Sequence, residues 1–246
     1  MVTPIGQRAW ETLRLRAEVL GEAELRALSP LVILAPHADD ETLGCGGLLS
    51  AVSDLGLQPR VAFLTDGSAS HQGSPSWPQA RLVETRKAEA LAALAELGVA
   101  TQIRFLDWPD SAPHPPGSTG FDDTVENLLD WFAGFSPKSV WAPWPKEAHC
   151  DHEAAAILAR EAAKAADCKL MSYPVWGWLL PPDQVLPVNQ VTGFRLPIAP
   201  HLETKRFAVA AHASQYSNLI QDSPDGFRLP RELLSIFERP YEVFLT

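Results

Sequence analysis

Cysteine is scarce in this chain, with only Cys45, Cys150 and Cys168 among 246 residues. The count is odd and no pair has CxxC spacing, which argues against a disulfide framework and fits a reducing compartment. Runs of lysine and arginine are missing too. Twenty basic residues stand against 30 acidic ones, for a formal net charge of −10. That balance disfavours nucleic acid or an anionic membrane surface as a partner. No stretch of ~20 apolar residues occurs, so no transmembrane segment is expected. The first residues carry Arg8, Glu11, Arg14, Arg16 and Glu18. They read as an amphipathic helix and not as the apolar centre of a signal peptide. The expected location is cytoplasmic.

The composition is ordinary for a globular protein, 46% hydrophobic and 20% charged, and the length suffices for one large core. Strand-like and helix-like segments alternate. Residues 31–35, 60–65, 103–106, 139–142 and 170–175 read as strands, and residues 46–55, 81–97, 122–132 and 153–166 as the helices between them. In 81–97, Leu82, Ala90, Leu91, Leu94 and Leu97 share a helical face, and Gly98 ends the run. A later helix is expected over 202–219 and a closing strand over 241–244. The alternation predicts a single-domain α/β fold, with a Rossmann-like, mostly parallel sheet and helices on both faces. An N-terminal helical extension over 1–29 would precede a core of about 30–220. The stretches 107–120 and 179–193, rich in proline and glycine, read as ordered loops over the catalytic edge of the sheet.

The densest chemistry lies in Pro36-His37-Ala38-Asp39-Asp40-Glu41, just after the first strand. Open α/β sheets bind ligands beyond the carboxyl ends of their strands. An imidazole and three carboxylates crowded into one turn are costly unless water or a cation compensates them. His37 and Asp40 can reach a single point. A catalytic zinc takes three protein ligands from His and Asp/Glu and keeps an exchangeable water. The second cluster, His149-Cys150-Asp151-His152, follows the strand at 139–142, and His152 is the expected third ligand. The residues alone thus point to metal-assisted hydrolysis. Gly44-Cys45-Gly46-Gly47 lacks both the dinucleotide fingerprint and the Lys-Ser/Thr of a P-loop. Its glycines are expected to permit close helix–sheet packing. His71 and His201 belong to no motif and are expected at the surface.

The two His/Asp clusters resemble those of the PIG-L (LmbE-like) family. Thr65-Asp66-Gly67-Ser68, the Arg86/Glu89 pair, Leu106-Asp107-Trp108-Pro109-Asp110, and Lys205 with His212, Ser214 and Gln215 resemble further stretches of it. The likeness runs from about Leu31 to Gln215. It implies a zinc-dependent N-deacetylase acting on N-acetylglucosaminyl compounds. By that resemblance His37, Asp40 and His152 would bind one Zn²⁺ and Asp39 would be the general base. His149 would face the oxyanion as a protonated ring, oriented by Asp151. Ala38 and Cys150 stand where the family usually has proline, and neither change removes a functional side chain.

Asp66, Arg86, Asp110, Trp108 and His212 are the expected substrate contacts, with Trp108 stacking on a sugar face. Trp176 and Trp178 are expected to line the pocket. The partner is a small N-acetylated sugar, and a homo-oligomer is left open. Other divalent transition metals suit the same ligand set. The alternatives are an amidase releasing a larger acyl group, and a degenerate metal- or sugar-binding protein. The intact Asp39 argues against the latter.

Overall fold

The structure, a computed structural model, describes residues 13, 15, 17–99, 102–181 and 192–246. Residues 1–12, 14 and 16 of the expected N-terminal helical extension and residues 182–191 of the loop at 179–193 lie outside these residues; within the described part of that extension Glu18–Val19 is a strand and Glu22–Leu28 a helix. One sheet of eight strands organises them: β1 (Glu18–Val19), β2 (Leu31–Ala35), β3 (Arg60–Thr65), β4 (Ile103–Trp108), β5 (Ser139–Pro143), β6 (Lys169–Tyr173), β7 (Gly193–Pro197) and β8 (Tyr241–Leu245). Their order is β1-β7-β8-β6-β5-β2-β3-β4. The run from β6 to β4 is parallel throughout, as the alternation predicts. The sheet is mixed because β8 pairs antiparallel with both β6 and β7. The strand expected to close the chain therefore lies inside the sheet. Among the described residues, no helix is long and apolar enough to cross a membrane.

Alternation within the strands divides the core in two. Leu31, Ile33, Val61 and Phe63 face one side, while Val32, Leu34, Ala62 and Leu64 face the other. A parallel sheet buried on both faces needs such continuous apolar strands. Helices α2 (Asp40–Asp54) and α3 (Gln79–Glu96) cover the first face together with α6 (Leu202–Ala211). Helices α4 (Thr119–Ala133) and α5 (Cys150–Ala165) cover the second. The short α1 is Glu22–Leu28, α7 is Ala213–Tyr216 and α8 is Arg231–Phe237.

Most strand and helix ends differ from the sequence expectation by a few residues, and three of the differences have a clear physical reason. Helix α2 begins at Asp40 and not at residue 46, because its glycines serve contact instead of breaking the helix. A Cβ on Gly44 would lie 2.3 Å from Tyr173 and one on Gly47 2.4 Å from Ile198. Helix α5 begins at Cys150, capped by His149, so His152 sits within its first turn. The late helix divides at His212, whose ψ of 58° leaves the helical range.

Candidate metal centre and its cavity

The turn after β2 and the turn after β5 open on the same edge, because these two strands are parallel neighbours. The strand order departs in opposite directions from that point, where α/β sheets form their crevice. His37 leaves β2 and is held by its own backbone, whose N–H donates to Asp40 Oδ2 at 3.0 Å. Its ring Nδ1 lies 3.2 Å from the same oxygen. From the other strand, His152 Nε2 comes within 3.2 Å of Asp40 Oδ2. One ligand atom from each of His37, Asp40 and His152 falls within 4.8 Å of the others. A second such group, His37, His149 and Asp151, shares His37.

The charge balance of this cluster fits a cation. Burial works against a charged His37, yet Asp110, Asp151 and Asp40 hold its basicity well above the ordinary value. Burial likewise opposes charge on His152, but Asp40 foremost raises it to about 9. Burial would raise the Asp40 carboxyl, and the charges of His152 and His37 instead hold it far below the usual carboxylate range. The two imidazoles are thus compensating an excess of buried negative charge. Both ring nitrogens of His152 are fully enclosed and make no hydrogen bond, and Nε2 faces the ligand atoms of His37 and Asp40. Two imidazoles and one carboxylate are a donor set for a divalent transition metal.

Asp39 lies beside this set but outside it. It caps α2 with a φ of 154°, a region non-glycine residues rarely adopt. Two contacts hold that geometry. Its N–H donates to Glu41 Oε2 at 2.9 Å, and Glu41 Oε1 lies 3.0 Å from His212 Nε2 in a fully buried pair. The Asp39 carboxylate stands 3.8 Å from Arg86 Nη2. Burial, then Asp40, pushes its pKa up to about 6, and Arg86 pulls the other way. Arg86 is itself fixed by donating to Gly67 O at 3.2 Å and Ala38 O at 3.1 Å. Gly67 has a φ of +69°, and a Cβ there would strike the guanidinium at 2.8 Å, so this close approach requires glycine.

A cavity of about 400 Å³ opens over the centre. Asp39, Arg86, Asp110 and His149 form its polar wall, and Leu43, Trp176, Phe227 and Leu229 its apolar wall. Asp110 is oriented by accepting the Ala69 N–H at 2.9 Å. His149 is an N-cap whose Nδ1 accepts the Asp151 N–H at 3.2 Å, which places its proton on Nε2. Burial lowers its basicity, and charges on His37 and His152 add to that.

Among the expected substrate contacts, Arg86 and Asp110 line this cavity, while Asp66, Trp108 and His212 do not. Asp66 accepts from the Ser68 N–H at 3.0 Å and caps its turn. Trp108 is buried, and its indole N–H is taken by Thr124 at 2.9 Å, so it packs the core instead of stacking on a ligand. His212 is spent on Glu41. His71, expected at the surface, is buried against Ser70. Trp176 reaches the cavity, whereas Trp178 packs in a small cluster with Leu13 and Trp144.

Phe227 and Leu229 were not foreseen. They arrive on residues 217–230, which carry no motif and are tied down by Phe227 N–H to Ser70 O at 2.8 Å and Leu229 N–H to Gln215 O at 2.9 Å. Glu147 was also missed, although a carboxylate two residues before a His-rich cluster was a readable signal.

The profile of the family described as PIG-L: GlcNAc-PI de-N-acetylase matches residues 32–163. A 1D-myo-inositol 2-acetamido-2-deoxy-alpha-D-glucopyranoside deacetylase of Gordonia bronchialis is 27% identical, over 75% of this chain and 83% of that protein. The conserved protein TT1542 of Thermus thermophilus is also 27% identical, with a TM-score of 0.56 across 76% of this chain and 79% of that one. The N,N'-diacetylchitobiose deacetylase of Pyrococcus horikoshii, 23% identical, shares the fold with a TM-score of 0.64 across 88% of this chain and 83% of its own.

Proposed function

This chain belongs to the PIG-L family, and we propose that it is a zinc-dependent hydrolase. It removes the N-acetyl group from an N-acetylglucosamine-type amino sugar or a conjugate of one. The substrate class is supported by the relative that is a glucopyranoside deacetylase. The observation that carries the chemistry is the position of Asp39, a buried carboxyl beside the His37–Asp40–His152 set and not part of it. A protein that only bound metal would have no use for it there.

When bound at these three residues, zinc supplies Lewis acidity, which polarises the amide carbonyl and acidifies the attacking water. Asp39 takes the proton from that water and delivers it to the departing nitrogen. Arg86 holds the carboxylate in line. His149 donates its Nε2–H to the developing oxyanion as a neutral ring, in place of the protonated ring expected from the sequence. The Asp151 backbone sets the His149 ring through the Nδ1 contact. The Asp151 carboxylate faces His37 Nε2 at 3.0 Å and accepts the Ser111 N–H at 2.9 Å, steadying the metal side. Arg86 and Asp110 are placed to hold the sugar hydroxyls.

The test is acetate release from N-acetylated amino sugars by the zinc-loaded protein, alongside the Asp39→Asn variant. The reading requires acetate from the wild type and a variant that keeps zinc but loses turnover. Full activity in the variant would remove Asp39 as the base. A second reading, release of a larger acyl group, is favoured by one observation, the apolar wall of Trp176, Phe227 and Leu229. Identifying the acid released separates the two.

A further inference from the structure

We propose that Glu147 is the positioning residue for His152, and that it ties this metal ligand to the wall of the cavity. The inference rests on the metal-centre reading above and concerns a residue outside the ligand set, the base and the oxyanion donor. Glu147 sits in the turn between β5 and α5, and its side chain is fully enclosed. A buried carboxylate is costly unless it is both hydrogen-bonded and paired. Glu147 has three backbone donors. Val175 N–H and Gly177 N–H donate to Oε1, each at 3.0 Å, and Trp176 N–H donates to Oε2 at 2.5 Å. The same Oε2 lies 3.5 Å from His152 Nδ1.

This arrangement decides which nitrogen of His152 is available. Nδ1 looks towards a carboxylate oxygen, an acceptor with no hydrogen of its own to offer, that already accepts a backbone N–H. A proton on Nδ1 is therefore favoured, and the Nε2 lone pair is left towards Asp40, 3.2 Å away. A carboxylate behind a ligating imidazole fixes its tautomer and rotation and strengthens it as a donor. Oε2 is shared, so the same atom also sets the turn that begins with Trp176. The Trp176 ring packs edge-on against Phe227 with centroids 5.9 Å apart, and both rings line the cavity. One carboxylate thus places both a ligand of the metal and the apolar surface a substrate meets. Glutamine cannot replace it, because its amide nitrogen would confront either backbone donors or the His152 N–H.

The experiment compares wild type with Glu147→Gln, using Zn²⁺ competition against a chromophoric chelator and the visible spectrum of the Co²⁺-loaded protein. Neither readout requires a substrate. The expected result is a folded variant with zinc affinity reduced roughly 10–100-fold and a shifted cobalt band, and with KM raised as well as kcat lowered. A folded variant with wild-type zinc affinity and an unchanged cobalt band overturns the proposal and leaves the deacetylase reading intact. A wild type that takes up no zinc overturns both. If Glu147→Gln does not fold, nitrogen NMR of the zinc-loaded wild type decides the matter: the proton of His152 must be on Nδ1, and a proton on Nε2 refutes the assignment.

Discussion

The two halves of the centre are built alike in sequence and differently in space. Each leaves a parallel strand, turns, and starts a helix that carries a ligand. On the first side every residue of α2 from Asp40 to Val52 is buried. Asp39 is held at an unfavourable φ, and Glu41 is locked to His212. On the second side α5 is a surface helix with an alanine-rich inner face, its cap His149 has a third of its side chain exposed (33%), and Cys150 is exposed. The first half is over-determined by its surroundings, as a carboxyl held at a strained φ requires. The second half is anchored at the fully buried His152 and open at the part-exposed His149. On the roles proposed above, rigidity is concentrated where Asp39 would handle a proton, and access is left where His149 would meet an oxygen.

The comparison is broken most completely at the shared ligands. His152→Ala is expected to abolish stoichiometric metal binding, on the order of one ion per chain, as read by elemental mass spectrometry. Retained zinc would show that the two halves do not converge on one ion. Next comes Asp39→Asn on the rigid side, where metal content should be unchanged and kcat should fall about 10²–10⁴-fold. On the open side His149→Ala should lose a smaller ~10²–10³-fold in kcat; a loss exceeding that of Asp39→Asn would reverse the assignment of roles. Gly47→Ala asks only about packing. The 2.4 Å approach to Ile198 predicts about 1–3 kcal/mol of destabilisation, seen as a lower Tm. Cys150→Ser on the exposed turn should change stability by less than ~0.5 kcal/mol. A marked drop there would mean that the second half is as tightly packed as the first.

The pattern of what was legible follows the same division. His37, Asp40 and His152 are readable because their spacing at two strand ends forces them together, and the mostly parallel sheet follows from the order of apolar runs. Arg86 was readable as a polar residue on the right helix, and the cavity does include it. The failures come from long-range pairing. His212 looked like a ligand-facing polar group because its partner, Glu41, lies 171 residues away. Trp108 looked like a stacking surface because nothing local reveals that Thr124 takes its N–H. Phe227 and Leu229 come from a segment without periodicity, and only the backbone bonds to Ser70 and Gln215 bring them to the cavity. Helix α2 starts at Asp40, ahead of the expected residue 46, because tight packing of Gly44 on Tyr173 and Gly47 on Ile198 offsets the low helix propensity of its glycines.

Strand β8 has a consequence for when the protein can first work. Glu242 on that strand accepts the N–H of Gly47 at 2.7 Å and of Leu48 at 2.8 Å, and pairs with Lys205 at 2.7 Å. It thereby grips the helix whose first residue is Asp40, across a separation of 195 positions. A ribosome adding roughly 5–20 residues per second needs about 10–40 s to cover that interval. During that time α2 lacks its anchor, and β7, once made, has no strand joining it to β6 until β8 follows. The histidines and aspartates of the first turn emerge early, yet the scaffold that aligns them closes late. Alignment of the first turn by Glu242 is thereby deferred until β8 has been made, an order of assembly written into the topology itself.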